Sequence, residues 1–65
     1  MKIHPPYVGD LQLGTRVLIT DGAWKGYSGE YAEVERTLIG VLHRVRLDNG
    51  MSTLVSLDSM KVVEE

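Results

Sequence analysis

The sequence predicts an all-β fold, in which five short strands form one small sheet that closes into a barrel. Apolar and polar residues alternate in several runs of about four to eight residues, as they do in half-buried strands. Turn residues separate these runs, most clearly at Asn49 and Gly50, and no stretch has the length and period of a long helix. A sheet this small gains by closing, because closure pairs the edge strands that would otherwise aggregate.

Length and composition limit the class of protein. The chain has 65 residues, which is enough for one small domain, and its hydrophobic content of 43% is that of a folded globular protein. It has no cysteine, and His4 and His43 are far apart in sequence, so we expect no disulfide, no metal site and no cofactor. The net charge of -2 is weak evidence for non-specific nucleic-acid binding, so any such contact would be local.

The first residues of the chain bear on the cellular location of the protein and predict an extended N-terminal arm. The first residues contain no hydrophobic block of signal-peptide length, and no apolar run reaches the ~20 residues that cross a bilayer, so we expect a cytoplasmic protein. Pro5 and Pro6 exclude a helix and favour an extended arm over residues 1–12, followed by the barrel over residues 13–65. Ile3, Tyr7 and Val8 could hold this arm against the domain, or the arm could fray.

Two strands are predicted in the first half of the barrel. In TRVLIT, Val17 and Ile19 alternate with polar or tolerated residues, and the run stops at Asp21. In EYAEVER, the period of two places Ala32 and Val34 on one face and Tyr31, Glu33 and Glu35 on the outer face. TLIGV follows as a turn at Gly40, whose flanking aliphatic residues suggest that it is not fully solvated.

A hairpin is predicted at Asn49 and Gly50. If these two residues form the loop, Val45 faces Leu54, Leu47 faces Ser52 and His43 faces Ser56. That face carries the core, with His43 at its rim, whereas Arg44, Arg46 and Val55 point to solvent. SLDSM then predicts a single 3-10 turn, with Ser56 as its cap, before the last short strand KVV.

The stretch GAWKGYSGE, residues 22–30, is the most unusual part of the sequence. A nucleotide-binding phosphate loop needs a lysine after its last glycine and then Ser or Thr, but here Lys25 precedes Gly26 and Tyr27 follows. We therefore expect a tight corner in which Gly22 and Gly29 adopt positive φ. Trp24 could be a half-buried lid on the barrel or an exposed anchor for a partner.

The stretch LGTRVLITDGAWKGYSGEYAEVE resembles the KOW motif, a short barrel element of NusG-type transcription elongation factors and of a ribosomal protein. HRVRLDNG and LVSLDSMKVV resemble the closing half of SH3-like barrels, so that the resemblance covers roughly residues 13–63. It implies a five-stranded SH3-like barrel that contacts RNA, the ribosome, polymerase or another protein. The residues that carry the resemblance are Gly14, Val17, Ile19, Gly22, Lys25, Gly26, Gly29, Ala32 and Val34.

We therefore expect a non-enzymatic binding module that contacts RNA or the transcription and translation machinery. Its serines have no histidine or acid at catalytic spacing. Arg44 and Arg46 could contact phosphates or acidic side chains. Alternatively, Glu33 and Glu35 could neutralise these two arginines. An alternative is a structural or adaptor subunit that docks on a protein complex through exposed Leu38, Ile39 and Val55, and another is a phage-encoded modulator of a host enzyme. The predicted partner-binding residues are Trp24, Lys25, Tyr27, Tyr31, Arg44 and Arg46.

Overall fold

The computed structural model describes residues 1–64 and has one six-stranded antiparallel sheet, which confirms the all-β prediction. The strand order is β1-β6-β2-β3-β4-β5. Two 3-10 turns, Val8–Asp10 and Leu57–Ser59, interrupt the strands, and the second lies directly before the last strand, as predicted. The strands are β1 (Lys2–His4), β2 (Arg16–Ile19), β3 (Ser28–Thr37), β4 (Gly40–Leu47), β5 (Ser52–Val55) and β6 (Met60–Glu64).

The sheet is open, and it has one strand more than predicted. Residues Lys2–His4 of the predicted arm form β1, which pairs with β6. Because β6 lies between β1 and β2, the sheet order ends at β1 and β5, and these two end strands do not pair with each other. The prediction of a closed barrel of five strands is therefore wrong in closure and strand count.

The core lies on one face of the sheet. Val17 and Ile19 of β2 are buried as predicted, and Val45 and Leu47 of β4 pack with them. Burial of each aliphatic side chain stabilises the fold by about 1.5–3 kcal/mol. The same cluster contains Tyr31, Val55 and Met60, and Leu11 and Trp24 pack against it from outside.

A bulge in β3 changes the predicted faces of that strand. Tyr31 pairs with Val45, but the next pair is Glu33 with Arg44, so that Ala32 is an extra residue. The bulge brings Tyr31 onto the core face, where it is only 4% exposed. The prediction of Tyr31 on the outer face was wrong, because it assumed an uninterrupted period of two.

The β4–β5 hairpin is shifted by one residue from the predicted register, since Val45 faces Thr53 instead of Leu54. Gly50 N donates to Leu47 O at 3.0 Å and has φ of 91°. The loop therefore has three residues, a turn followed by a glycine bulge, in place of two. In consequence Val55 is buried, at 8% exposure, and Leu54 is on the outside, which reverses the prediction for both residues.

The N-terminal segment lies against the sheet at β1. The His4 ring stacks on Tyr7 with centroids 5.0 Å apart, and His4 Nε2 lies 3.2 Å from Glu64 Oε2 of β6. Tyr7 N donates to Asp10 Oδ2 at 3.0 Å in the 3-10 turn. The arm is therefore attached to the domain through the pairing of β1 with β6, but Ile3 and Tyr7, which were predicted to hold it, are exposed, and the Val8 side chain lies outside the described residues.

Candidate binding surfaces

The loop between β2 and β3 is a tight corner whose backbone amides are used internally. Gly26 N donates to Ile19 O at 2.8 Å, Tyr27 N to Trp24 O at 3.0 Å, and Lys25 N to Gly22 O at 3.2 Å. Gly22 and Gly26 have φ of 86° and 93°, a region that glycine adopts without strain. These amides therefore do not converge on a bound phosphate.

Gly29 is required for a different reason from the one predicted. Its φ is not positive, and it lies buried in β3 opposite Leu47. A Cβ on Gly29 would lie 2.8 Å from Leu47 Cα and would also collide with Arg46 O. The glycine thus allows close approach of β3 and β4.

Trp24 is half-buried, which is one of the two predicted alternatives. One part of the side chain packs against the core, and its ring meets Tyr27 edge to face, with centroids 5.1 Å apart. Trp24 also lines an open cleft of about 450 Å³ between the loop and β5. The other residues that line the cleft include Asp21, Leu42, Leu54, Val55 and Ser59.

The two predicted arginines differ in environment. Arg44 Nε donates to Glu35 Oε1 at 2.8 Å, and Arg44 Nη2 donates to the same oxygen. Glu33 Oε1 lies 3.8 Å from Arg44 Nε. Arg46 is exposed and lies by Leu13 and Glu30, and no carboxylate of residues 1–64 is within 4.0 Å of it.

The six predicted partner-binding residues do not form one surface. Lys25 is exposed and Tyr27 is 45% exposed on the corner loop. Trp24 lines the cleft beside β5, whereas Arg46 lines a separate depression that shares no residue with it. Arg44 is paired with Glu35 and Glu33, and Tyr31 is buried, so that Tyr31 does not offer the contact that was predicted for it.

Tyr31 and His43 form a buried polar pair that sequence reasoning missed. Tyr31 Oη lies 3.0 Å from His43 Nδ1. Burial lowers the pKa of His43 below its ordinary value, and burial together with the Glu33 charge raises the pKa of Tyr31. His43 is buried on the core face, next to the half-exposed Val34 and Val41, which agrees with its predicted place at the rim.

The tip of the β3–β4 hairpin is the most exposed apolar part of the described chain. Leu38 and Ile39 form its two-residue turn and are almost entirely exposed, as the adaptor hypothesis predicted, although the turn is more solvated than expected. Thr37 Oγ1 donates to Gly40 O at 2.7 Å and accepts from Ile39 N at 3.2 Å, which holds the turn in shape. We call Leu38, Ile39, Val34 and Val41 the hairpin tip.

An ion pair that sequence reasoning also missed joins distant parts of the chain. Arg16 Nη1 and Nη2 donate to Asp48 Oδ1 and Oδ2 at 2.8 and 2.7 Å, and Ser28 Oγ donates to Asp48 Oδ2 at 3.2 Å. The arginine holds the pKa of the Asp48 carboxyl below its usual range. No sequence pattern indicates a pair separated by 32 positions.

The comparisons with known proteins give no relative: no family model, no curated protein and no solved structure matches this chain. Among residues 1–64, no helix is long and apolar enough to cross a membrane. In the same part of the chain, His, Asp and Glu side chains form no group of three or more that could hold a metal ion.

Proposed function

We propose that the chain is a small non-enzymatic binding module, of the KOW and SH3-like kind, that docks on another protein as a structural or adaptor subunit. The observation that carries this proposal is the hairpin tip. Leu38 and Ile39 expose nearly their whole side chains on a turn that Thr37 holds in place. A rigid, exposed pair of large aliphatic residues is typical of a protein interface rather than of a solvated turn.

Two further features support a protein partner. Val34 and Val41 lie on the same face of the hairpin and are each about half exposed, so they extend the apolar surface away from the turn. Arg44, the more central of the two β4 arginines, is already paired with Glu35, and the chain as a whole is acidic. An acidic surface repels phosphates but does not oppose burial of aliphatic side chains.

The test is capture of partners from a lysate of the encoding organism by the tagged protein at ~50 and ~200 mM salt, since an apolar interface responds little to salt in this range. The double variant L38S/I39S should lose the captured protein, because each buried aliphatic contributes about 1.5–3 kcal/mol. The matched control is E33S, an exposed charged residue on the opposite face of the same hairpin. Equal capture by wild type and L38S/I39S would contradict the proposal.

A second candidate function, contact with RNA in the transcription or translation machinery, is favoured by the exposed Lys25, Tyr27 and Arg46. Within residues 1–64, neither Lys25 nor Arg46 has a carboxylate within 4.0 Å, so both charges are available to phosphates. A filter-binding assay with a mixed RNA pool tests this candidate. Salt-sensitive binding that K25A and R46A weaken would support it, and absence of binding at ~50 mM salt would exclude it.

A further inference from the structure

The strand β5 has an unpaired edge with unsatisfied backbone groups. Leu47 N donates to Met51 O at 2.7 Å, which sets the alternation of hydrogen-bonded pairs along the hairpin. The following bonded pairs are Val45 with Thr53 and His43 with Val55. The N–H and C=O groups of Ser52 and Leu54 therefore point away from β4.

No backbone group of residues 1–64 fills these positions. The strand β5 stands at the end of the sheet order, and the remaining backbone hydrogen bonds of the described chain do not involve Ser52 or Leu54. The spacing of the free groups is that of alternate residues in a strand. An extended chain is the structure that matches such a row of donors and acceptors.

The β1 edge of the sheet is protected against the addition of another strand, whereas the β5 edge is not. The strand β1 is short, carries Lys2 and is followed by Pro5 and Pro6, all of which discourage the addition of another strand. The strand β5 has the sequence STLV, with neither charge nor proline. The difference between the two edges indicates that β5 is available for pairing.

The side chains beside this edge define the chemistry of its partner. Trp24, Leu42 and Leu54 give the cleft apolar walls, and Asp21 is its charged residue. Asp21 Oδ1 accepts from Gly22 N at 2.9 Å, which leaves the second oxygen for another donor. An alternating apolar strand with a lysine or arginine at its end complements these groups.

We propose that β5 and the Trp24 cleft bind an extended peptide segment of another protein, which adds to the sheet as a seventh strand and places a basic side chain near Asp21. A second copy of this chain is a poorer occupant. Its own β5 has no basic residue to meet Asp21, and both copies carry a net charge of -2. The site is separate from the hairpin tip.

The test uses the fluorescence of Trp24, the only tryptophan of the chain. The probe is the capped peptide Lys-Val-Thr-Val-Thr-Lys, titrated to ~1 mM, the weak end of specific affinities. We expect saturable binding that is about 3- to 10-fold weaker when one inward-facing peptide amide is N-methylated, because a hydrogen bond is lost. The same peptide with Glu in place of both Lys should also bind more weakly.

The variants S52P and S52A complete the test. Proline at position 52 removes an outward donor without removing a bond to β4, so S52P should weaken peptide binding and S52A should not. L38S/I39S should bind like wild type, which distinguishes failure here from failure of the proposed function. Absence of binding, binding insensitive to N-methylation, or a dimer by sedimentation that S52P dissociates would each overturn the proposal.

Discussion

Tyr31 and His43 are joined by a buried hydrogen bond on the core face of the sheet, with Oη and Nδ1 3.0 Å apart. The two side chains come from adjacent strands, and each is less than 10% exposed. Because the phenol can donate to a neutral imidazole, the pair satisfies both polar groups without burying a charge. A proton on His43 would put an uncompensated charge in this site.

The first prediction follows from the lowered pKa of His43. The unfolded chain takes up a proton near the ordinary value of 6.5, whereas the folded chain does so only at lower pH. The unfolded state therefore binds more protons below pH 6.5, and the free energy of unfolding should fall as pH drops through this range. Once pH passes below the folded pKa, His43 makes no further difference.

Urea denaturation between pH 7.5 and pH 5 measures this effect. The variant H43N, which cannot titrate there, should show a smaller fall in unfolding free energy than wild type. The control I19V shortens another buried side chain without removing a titratable group, and it should keep the wild-type fall. An identical pH dependence in wild type and H43N would contradict the prediction.

The second prediction concerns the close approach of β3 and β4. Gly29→Ala would force its Cβ against Leu47 Cα and Arg46 O, both of which are backbone atoms that cannot rotate away. We expect a loss of about 1–3 kcal/mol or more in unfolding free energy, measured by chemical denaturation. The matched control is Gly9→Ala, where a Cβ meets nothing within 4 Å and φ is not positive. Equal stability of the two variants would refute the packing argument.

The elements of the fold were more predictable from sequence than their registers. The burial of Val17 and Ile19 and a turn within TLIGV follow from alternation and from Gly40, and the structure agrees, although the turn residues are Leu38 and Ile39 and Gly40 begins β4. The bulge at Ala32 does not follow, because no local pattern states where one strand gains a residue relative to its neighbour. That single residue reversed the predicted face of Tyr31.

The candidate binding surfaces were also predictable only in part, because they depend on strand register. Asn49 and Gly50 correctly marked a hairpin, but the loop also includes Asp48, and this third residue exchanged the environments of Leu54 and Val55. The availability of Arg44 and Arg46 depends on which carboxylates the neighbouring strand presents, which is a property of the register. Sequence reasoning had named Glu33 and Glu35 as possible partners but could not decide between them and a ligand.

The third prediction concerns the Asp48 carboxyl. Its pKa is lowered chiefly by the hydrogen bonds from Arg16, with a smaller effect of Ser28. In Arg16→Gln, the Asp48 pKa should rise toward its ordinary value, as followed by carboxyl carbon chemical shifts during an acid titration. The control is R36Q, a surface arginine on β3, which should leave the Asp48 titration unchanged. A rise of equal size in R36Q would contradict the assignment to Arg16.

The fourth prediction separates the two glutamates that face Arg44. Glu35 Oε1 accepts from Nε and Nη2 of the guanidinium and is only partly exposed, whereas Glu33 lies 3.8 Å away and is largely exposed. Exposed ion pairs contribute little because water screens them and ordering two side chains costs entropy.

Double-mutant cycles on urea unfolding give the two coupling energies. The cycle of R44A with E35A should give about 0.5–1 kcal/mol, and the cycle of R44A with E33A should give about zero. The shared arginine makes each cycle the control for the other, since loss of its aliphatic stem cancels in both. Equal coupling to the two glutamates would mean that Arg44 exchanges between them, and the guanidinium would then be more available to an acidic ligand than the observed contacts indicate.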